Sequence, residues 1–200
     1  MSNVLQTLIA CRGIWRMSLR YSIFFSGCLF LCFVSNFCWA QVSNQATASS
    51  SLCASEEHTV FSCVLNNNKK KVSLCASSDL SHFYYVYGRD GKPELIFPPK
   101  DDSTDNPFMR TYLHFMGNTG GYTYSFINDN FKYIIYSISG SHNYEAQGLI
   151  VQRVSDMRAI QDMSCQRASV VESSDHALRN ITLKWPHDAY IDEHNLPHTR

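Results

Sequence analysis

Apolar residues fall in short alternating runs along the chain, separated by clusters of Gly, Asn, Asp and Pro. Residues 59–65 (TVFSCVL) and 72–76 (VSLCA) flank the polar stretch at 66–71 and read as a β-hairpin. Residues 81–87 place Phe83, Tyr85 and Tyr87 on one face and Tyr84 and Val86 on the other. Asp90-Gly91 suits the positive φ of a tight turn, residues 94–97 return as a short strand, and Pro98-Pro99 stops it. The charged, Pro-flanked residues 100–107 read as an exposed loop, and 108–116 as a strand with Met109, Thr111, Leu113 and Phe115 on one face. GNTGG at 117–121 reads as a turn. Strands follow at 122–127 and 131–138, joined through Asn128-Asp129-Asn130. The second, FKYIIYSI, is the most apolar stretch after the first forty residues and should be central. A long polar connection, 139–147 (SGSHNYEAQ), precedes strands at 148–154 and 158–165. One or two helical turns at 173–179 and a polar, Pro-containing end complete the pattern.

Short strands at roughly 8–12 residue intervals, without a long amphipathic helix, predict an all-β fold. The expected architecture is an antiparallel β-sandwich or barrel of about eight strands, and the pattern does not choose between the two. The expected organisation is a signal peptide at 1–40, a flexible linker at 41–51, an all-β domain at 52–170 and a polar C-terminal tail at 171–200.

The signal peptide changes the remaining composition. Arg12, Arg16 and Arg20 precede an apolar run from Ile23 to Val34, and Cys38-Trp39-Ala40 offers a cleavage site after Ala40. Met17 is an alternative start. The apolar run is shorter than the roughly 18–20 residues of a spanning helix, which opposes a membrane anchor. Because the run continues past Cys28, a lipoprotein site there is disfavoured. Removing the three arginines from 17 basic residues leaves 14 against 17 acidic, a formal charge of −3. That balance gives no general attraction to nucleic acid or an anionic membrane. The expected location is periplasmic or secreted, without stable membrane insertion after cleavage.

Cys53, Cys63, Cys75 and Cys165 remain after cleavage, an even number that suggests two bridges in an exported chain. Cys63 and Cys75 lie symmetrically about Lys69. A hairpin folded evenly about that residue opposes them, so Cys63–Cys75 is expected, leaving Cys53–Cys165. The spacings lack the close cysteine pairs of a four-cysteine zinc site.

Connection 139–147 is the main candidate surface, because Ser139, Ser141, His142 and Tyr144 combine adaptable polar groups with an aromatic anchor. The bland reading is a solvated connection. His187, Asp188, Asp192, Glu193, His194 and His198 are metal-donor types, but their spacing fits no ligand pattern, and neither a metal nor a cofactor is expected. No serine sits in a Gly-x-Ser-x-Gly elbow, no Gly-rich phosphate loop links a strand to a helix, and all four cysteines are assigned to bridges. Glu94 is the one carboxylate expected in a pocket wall. The strand tyrosines are expected in core and cross-strand packing rather than in a sugar- or peptide-binding face.

Leu52-Cys53-Ala54-Ser55-Glu56, Val60-Phe61-Ser62-Cys63, Val72-Ser73-Leu74-Cys75-Ala76-Ser77, Tyr87-Gly88, Pro93-Glu94-Leu95, Phe97-Pro98, Phe131-Lys132-Tyr133 and the strand after Gly148 carry a resemblance. Over residues 53–165 the chain resembles a loosely defined, mostly uncharacterised group of small exported, disulfide-containing proteins of Gram-negative bacteria. More weakly, it is similar to periplasmic lysozyme inhibitors, one class of which presents a Ser-Gly-x-Tyr loop to the enzyme's cleft. The comparable residues here are Ser139-Gly140-Ser141-His142, with the tyrosine displaced to Tyr144. The expectation is a non-catalytic binding module with a protein partner in the cell envelope, its sharpest version an inhibitor of a cell-wall hydrolase such as lysozyme. The alternatives are a structural or stress-related envelope protein, and a hydrolase.

Overall fold

Ten strands form two five-stranded sheets in a computed structural model, which describes residues 51–99 and 106–198. The expected signal peptide, most of the expected linker and most of the 100–107 loop lie outside the described residues. Strands β1 (His58–Val64), β2 (Lys71–Ala76), β3 (Phe83–Arg89) and β4 (Lys92–Phe97) make one sheet with the two-residue β10 (Val171–Glu172), in the order β10-β1-β2-β3-β4. Strands β5 (Met109–Phe115), β6 (Thr119–Asn128), β7 (Phe131–Gly140), β8 (Tyr144–Arg153) and β9 (Ala159–Ser164) make the other, in that order. All pairings are antiparallel. The two sheets face each other as a sandwich, which settles the choice the sequence left open. The strand β7 is central, as its apolar run predicts.

The inner faces meet in an aromatic core. Phe61, Leu74 and Tyr85 of the first sheet pack in one cluster with Phe126, Ile135 and Leu149 of the second. Phe126 stacks on Phe97 at 4.6 Å and on Tyr133 at 5.1 Å, and meets Tyr85 at 4.9 Å between centroids. Each such pair contributes about 0.5–1.5 kcal/mol beyond its area burial.

The β1–β2 register corrects the disulfide pairing. Leu65 N–H donates to Lys70 O at 2.8 Å and Lys69 takes φ 57°, so the turn is centred two residues earlier than Lys69. Cys63 therefore stands opposite Val72, and Cys75 opposite Thr59 across a bulge. Cys75 is three residues beyond Val72, an odd step, and faces away from Cys63. The bridges are Cys53–Cys75 and Cys63–Cys165, with Cα separations of 5.5 and 5.7 Å. Cys63–Cys165 lies in the core and joins the two sheets. Cys53–Cys75 lies on the outer face of the first sheet, with Leu52 and Tyr84. Two disulfides fit an oxidising, extracytoplasmic compartment. Among the described residues no helix is long and apolar enough to cross a membrane.

Two further expectations change. Residues 139–147 are not a long connection: β7 runs to Gly140, β8 starts at Tyr144, and a single 3₁₀ turn, Ser141–Asn143, joins them. Ser139 pairs with Glu145 and Ile138 with Ala146, so polar composition marked a solvated sheet end rather than a break in pairing. Nor is 171–200 a polar tail. It supplies β10, α1 (His176–Thr182) and α2 (Ala189–His194). Asp175 and Asp188 cap the helix N-termini. Leu178 and Trp185 enter the inter-sheet core, and Ile191 and Leu196 cover Leu113, Ile134 and Ile150 on the second sheet's outer face. The few apolar residues are spaced to reach two different faces, which average polarity conceals.

Candidate functional site

The β7–β8 tip gathers most of the predicted binding residues. His142 and Asn143 both adopt left-handed φ, 59° and 58°, which turns the chain within three residues. The turn is braced from both sides. Ser141 Oγ donates to Gly117 O of the neighbouring β5–β6 turn at 3.2 Å. Arg167 Nε donates to Glu145 Oε2 at 3.0 Å, and its Nη2 to Asn143 O at 3.4 Å. Ser141, His142 and Tyr144 are exposed, Tyr144 by 53 %.

Cross-strand register extends this tip into a patch. Phe115 pairs with Thr119, and Gly140 pairs with Tyr144. A Cβ on Gly140 would lie 2.5 Å from Thr119 Oγ1, so the close approach of β6 and β7 requires a glycine here. Phe115, Thr119, Gly140 and Tyr144 therefore form one row on the outer face, low in the middle with an aromatic at each end. Met116, 95 % exposed, stands in the adjacent turn. Phe115 and Met116 join the predicted residues. Ser139 does not: it pairs with Glu145 and takes the same side of β7 as Ser137, opposite to Tyr144.

The other candidates are placed differently. Lys132 and Asp188 form a buried ion pair at 2.8 Å, and Asp188 also accepts from Ser125 Oγ at 3.0 Å. Serine, lysine and carboxylate thus meet, but their residues are between 0 and 5 % exposed, with no opening for a substrate. His187 lies 3.7 Å from Asp192, and His194 stacks on Tyr190. Among the described residues no group of three or more His, Cys, Asp or Glu is placed to hold a metal. Glu94 does line a cavity, but it pairs with Lys70 at 2.5 Å. The tyrosines are divided among four environments: Tyr85 and Tyr133 in the inter-sheet core, Tyr84 under the 51–57 segment, Tyr136 on the second sheet's outer face, and Tyr122 and Tyr124 beside Arg110.

Two inter-sheet cavities were not anticipated. One, about 440 Å³, opens between β3–β4 and β7–β9 and is lined by Tyr85, Leu95, Tyr133, Val151 and Met163. Tyr85 is fully buried, its hydroxyl has no hydrogen-bond partner, and burial pushes its phenol pKa well up. The other, about 320 Å³, lies at the opposite edge, where the short β10 leaves a gap that α1 roofs. Arg110 enters it, 7 % exposed, from the inner face of β5. Its guanidinium carbon sits 5.0 Å from the Tyr112 and Tyr122 ring centroids and 5.8 Å from that of Tyr124. Burial raises the pKa of Tyr122 first, with Tyr124 and Glu172 adding to it; burial also raises that of Tyr124, against the opposing pull of Arg110. A basic residue alternating with Phe108 and Tyr112 was the available sequence signal, since all three take the same side of the strand, Phe108 and Arg110 buried and Tyr112 at the exposed rim.

No family model matches the chain, and neither curated proteins nor solved structures give a match. The functional reading therefore rests on the residues themselves.

Proposed function

We propose that this is a non-catalytic binding protein of the periplasm or cell exterior, and that it acts by inserting its β7–β8 tip into a concave site on a protein partner. One observation carries the reading: a projecting, braced three-residue turn whose His142 and Tyr144 are exposed beside Phe115 and Met116. A tip already held in one conformation loses little entropy on docking, and exposed aromatics are the side chains that anchor interfaces. The partner class we favour is a cell-wall hydrolase of the lysozyme type, whose cleft would receive such a tip. The exposed Ser141, His142 and Tyr144 of the tip and the two disulfides support this choice.

The envelope-scaffold alternative needs an available strand edge. Of the four edge strands, β4 begins Lys92-Pro93-Glu94, a charged, proline-containing start that opposes strand addition there, and β10 is only two residues long.

The test is an inhibition assay with the mature protein against several lysozyme types. Inhibition at micromolar excess is expected, and it should be lost in a His142→Ala/Tyr144→Ala variant of unchanged melting temperature. Full lysozyme activity throughout would refute the inhibitor reading. Inhibition retained by the double variant would remove the tip as its site.

A further inference from the structure

The tip leaves Arg110 unexplained. A guanidinium withdrawn from water is normally matched by a carboxylate or phosphate in a bidentate pair. Among the described residues none of the ion pairs includes Arg110. Its Nη1 donates to Tyr112 Oη at 3.2 Å, while its buried Nε–H has no acceptor. Tyrosine faces attract the cation and the Tyr112 and Tyr124 hydroxyls take hydrogen bonds from it, but neutral partners leave its charge without a counter-ion and its Nε–H without an acceptor. Nε and the adjacent amino nitrogen form the two-donor edge that receives a carboxylate side-on.

The one acid lining the same cavity is engaged elsewhere. Glu172 Oε1 accepts from Ser137 Oγ at 2.5 Å. Arg179 of α1 lines the cavity as well, so its charged side chains are two cations and one anion. The remaining wall is mostly tyrosine rings with Val60 and Leu178, and Gly121, Ser173 and Thr182 complete it. The volume, about 320 Å³, is at the small end of ligand pockets, which run roughly 300–1,000 Å³.

From this arrangement we propose that the cavity between β5, β6, β10 and α1 is a binding site for a small monocarboxylate with a planar or apolar body. The carboxylate pairs with the guanidinium of Arg110, and the body lies against Tyr112, Tyr122 and Tyr124. This site is independent of the tip and stands whether or not a lysozyme is bound there.

Benzoate is a suitable probe, with benzamide as its neutral counterpart and inorganic phosphate as the simple anion. In the mature wild-type protein, benzoate should shift the assigned Arg110 Nε–H resonance saturably. It should also change the fluorescence of Trp185, whose ring lies 5.7 Å from Tyr124. Benzamide should bind at least about tenfold more weakly, because it cannot form the charge-assisted pair. Arg110→Lys should weaken benzoate by a similar factor, about tenfold, with far-ultraviolet circular dichroism unchanged. No saturable shift of the Arg110 signal at millimolar benzoate would overturn the proposal. Equal binding of benzamide, or a response to phosphate alone, would overturn it too. Should Arg110→Lys fail to fold, the wild-type titration with the three probes decides by itself.

Discussion

Removing Asp188 should destabilise the protein more than any ordinary surface substitution. Asp188 is 2 % exposed and Lys132 5 %. The carboxylate accepts from Lys132 Nζ at 2.8 and 2.9 Å, from Ser125 Oγ at 3.0 Å, and from the Tyr190 and Ile191 amides at 3.1 and 3.4 Å. Its own amide donates to Thr111 Oγ1 at 2.7 Å. Asp188→Ala therefore leaves Lys132 buried without a counter-charge, frees Ser125 and uncaps α2. Breaking a buried pair from one side costs about 3–5 kcal/mol, within which a lost cap accounts for about 1. For a domain of this size that is a fall of roughly 10 °C in melting temperature. Urea unfolding followed by circular dichroism and Trp185 fluorescence gives the free energy, provided the denaturant slope stays constant. Lys132→Met/Asp188→Asn removes both charges and should recover more than half of the loss, because no unpaired charge remains. An Asp188→Ala cost below about 1 kcal/mol, the range of exposed pairs, would show that the C-terminal segment is not docked on the second sheet.

Tyr85→Phe should be neutral or slightly stabilising by the same urea assay, because the hydroxyl it removes is buried without a partner; a loss above about 1 kcal/mol would mean that the hydroxyl is satisfied. The two disulfides should differ in worth. Cys63→Ala/Cys165→Ala opens a separation of 102 residues and should cost about 4–5 kcal/mol, against roughly 3 for Cys53→Ala/Cys75→Ala across 22; reversed order would contradict the assignment of Cys63–Cys165 as the long-range tie. Burial raises the pKa of Tyr84, Tyr122 and Tyr136 above the usual phenol value. Folded pKa values above the unfolded ones give stability that is complete below about pH 10 and lost as pH rises through the folded values. Phenolate absorbance should therefore rise in two stages, the second coincident with unfolding; a single smooth titration at pH near 10 with the fold intact would refute it.

The fold was legible where local chemistry and tertiary packing agree. Asp90-Gly91 sits at a tight turn with Gly91 at φ 67°, and the FKYIIYSI run lies at the centre of its sheet because it is buried on both faces. It was illegible where one residue of register decides the outcome. Centring the first hairpin on Lys69 instead of two residues earlier put Cys63 and Cys75 on the same face. In β5 the face marked by Met109, Thr111 and Leu113 is real, but it is the outer one, filled by α2. The inner one carries Phe108, Arg110 and Tyr112, and alternation cannot rank two faces that are each partly buried. The candidate tip was half legible. Composition pointed to Ser141, His142 and Tyr144, which lie exposed at one turn, but not to Phe115 and Met116, which only cross-strand neighbours bring to them. Trp185 and Ile191 were hidden because the strand residues they pack against are more than thirty residues away in the chain.

The joining of the two sheets around the inter-sheet core depends on which faces of the first hairpin carry Cys63 and Cys75. Peptide mapping of the unreduced mature protein reads that directly. Cleavage at Lys69–Lys71 separates Cys63 from Cys75, and cleavage at Glu56 or Glu57 separates Cys53 from Cys63. Linked peptides joining Cys53 to Cys75 and Cys63 to Cys165 are the expected result. A peptide joining Cys63 to Cys75, or free thiol at any of the four, would contradict the sandwich described.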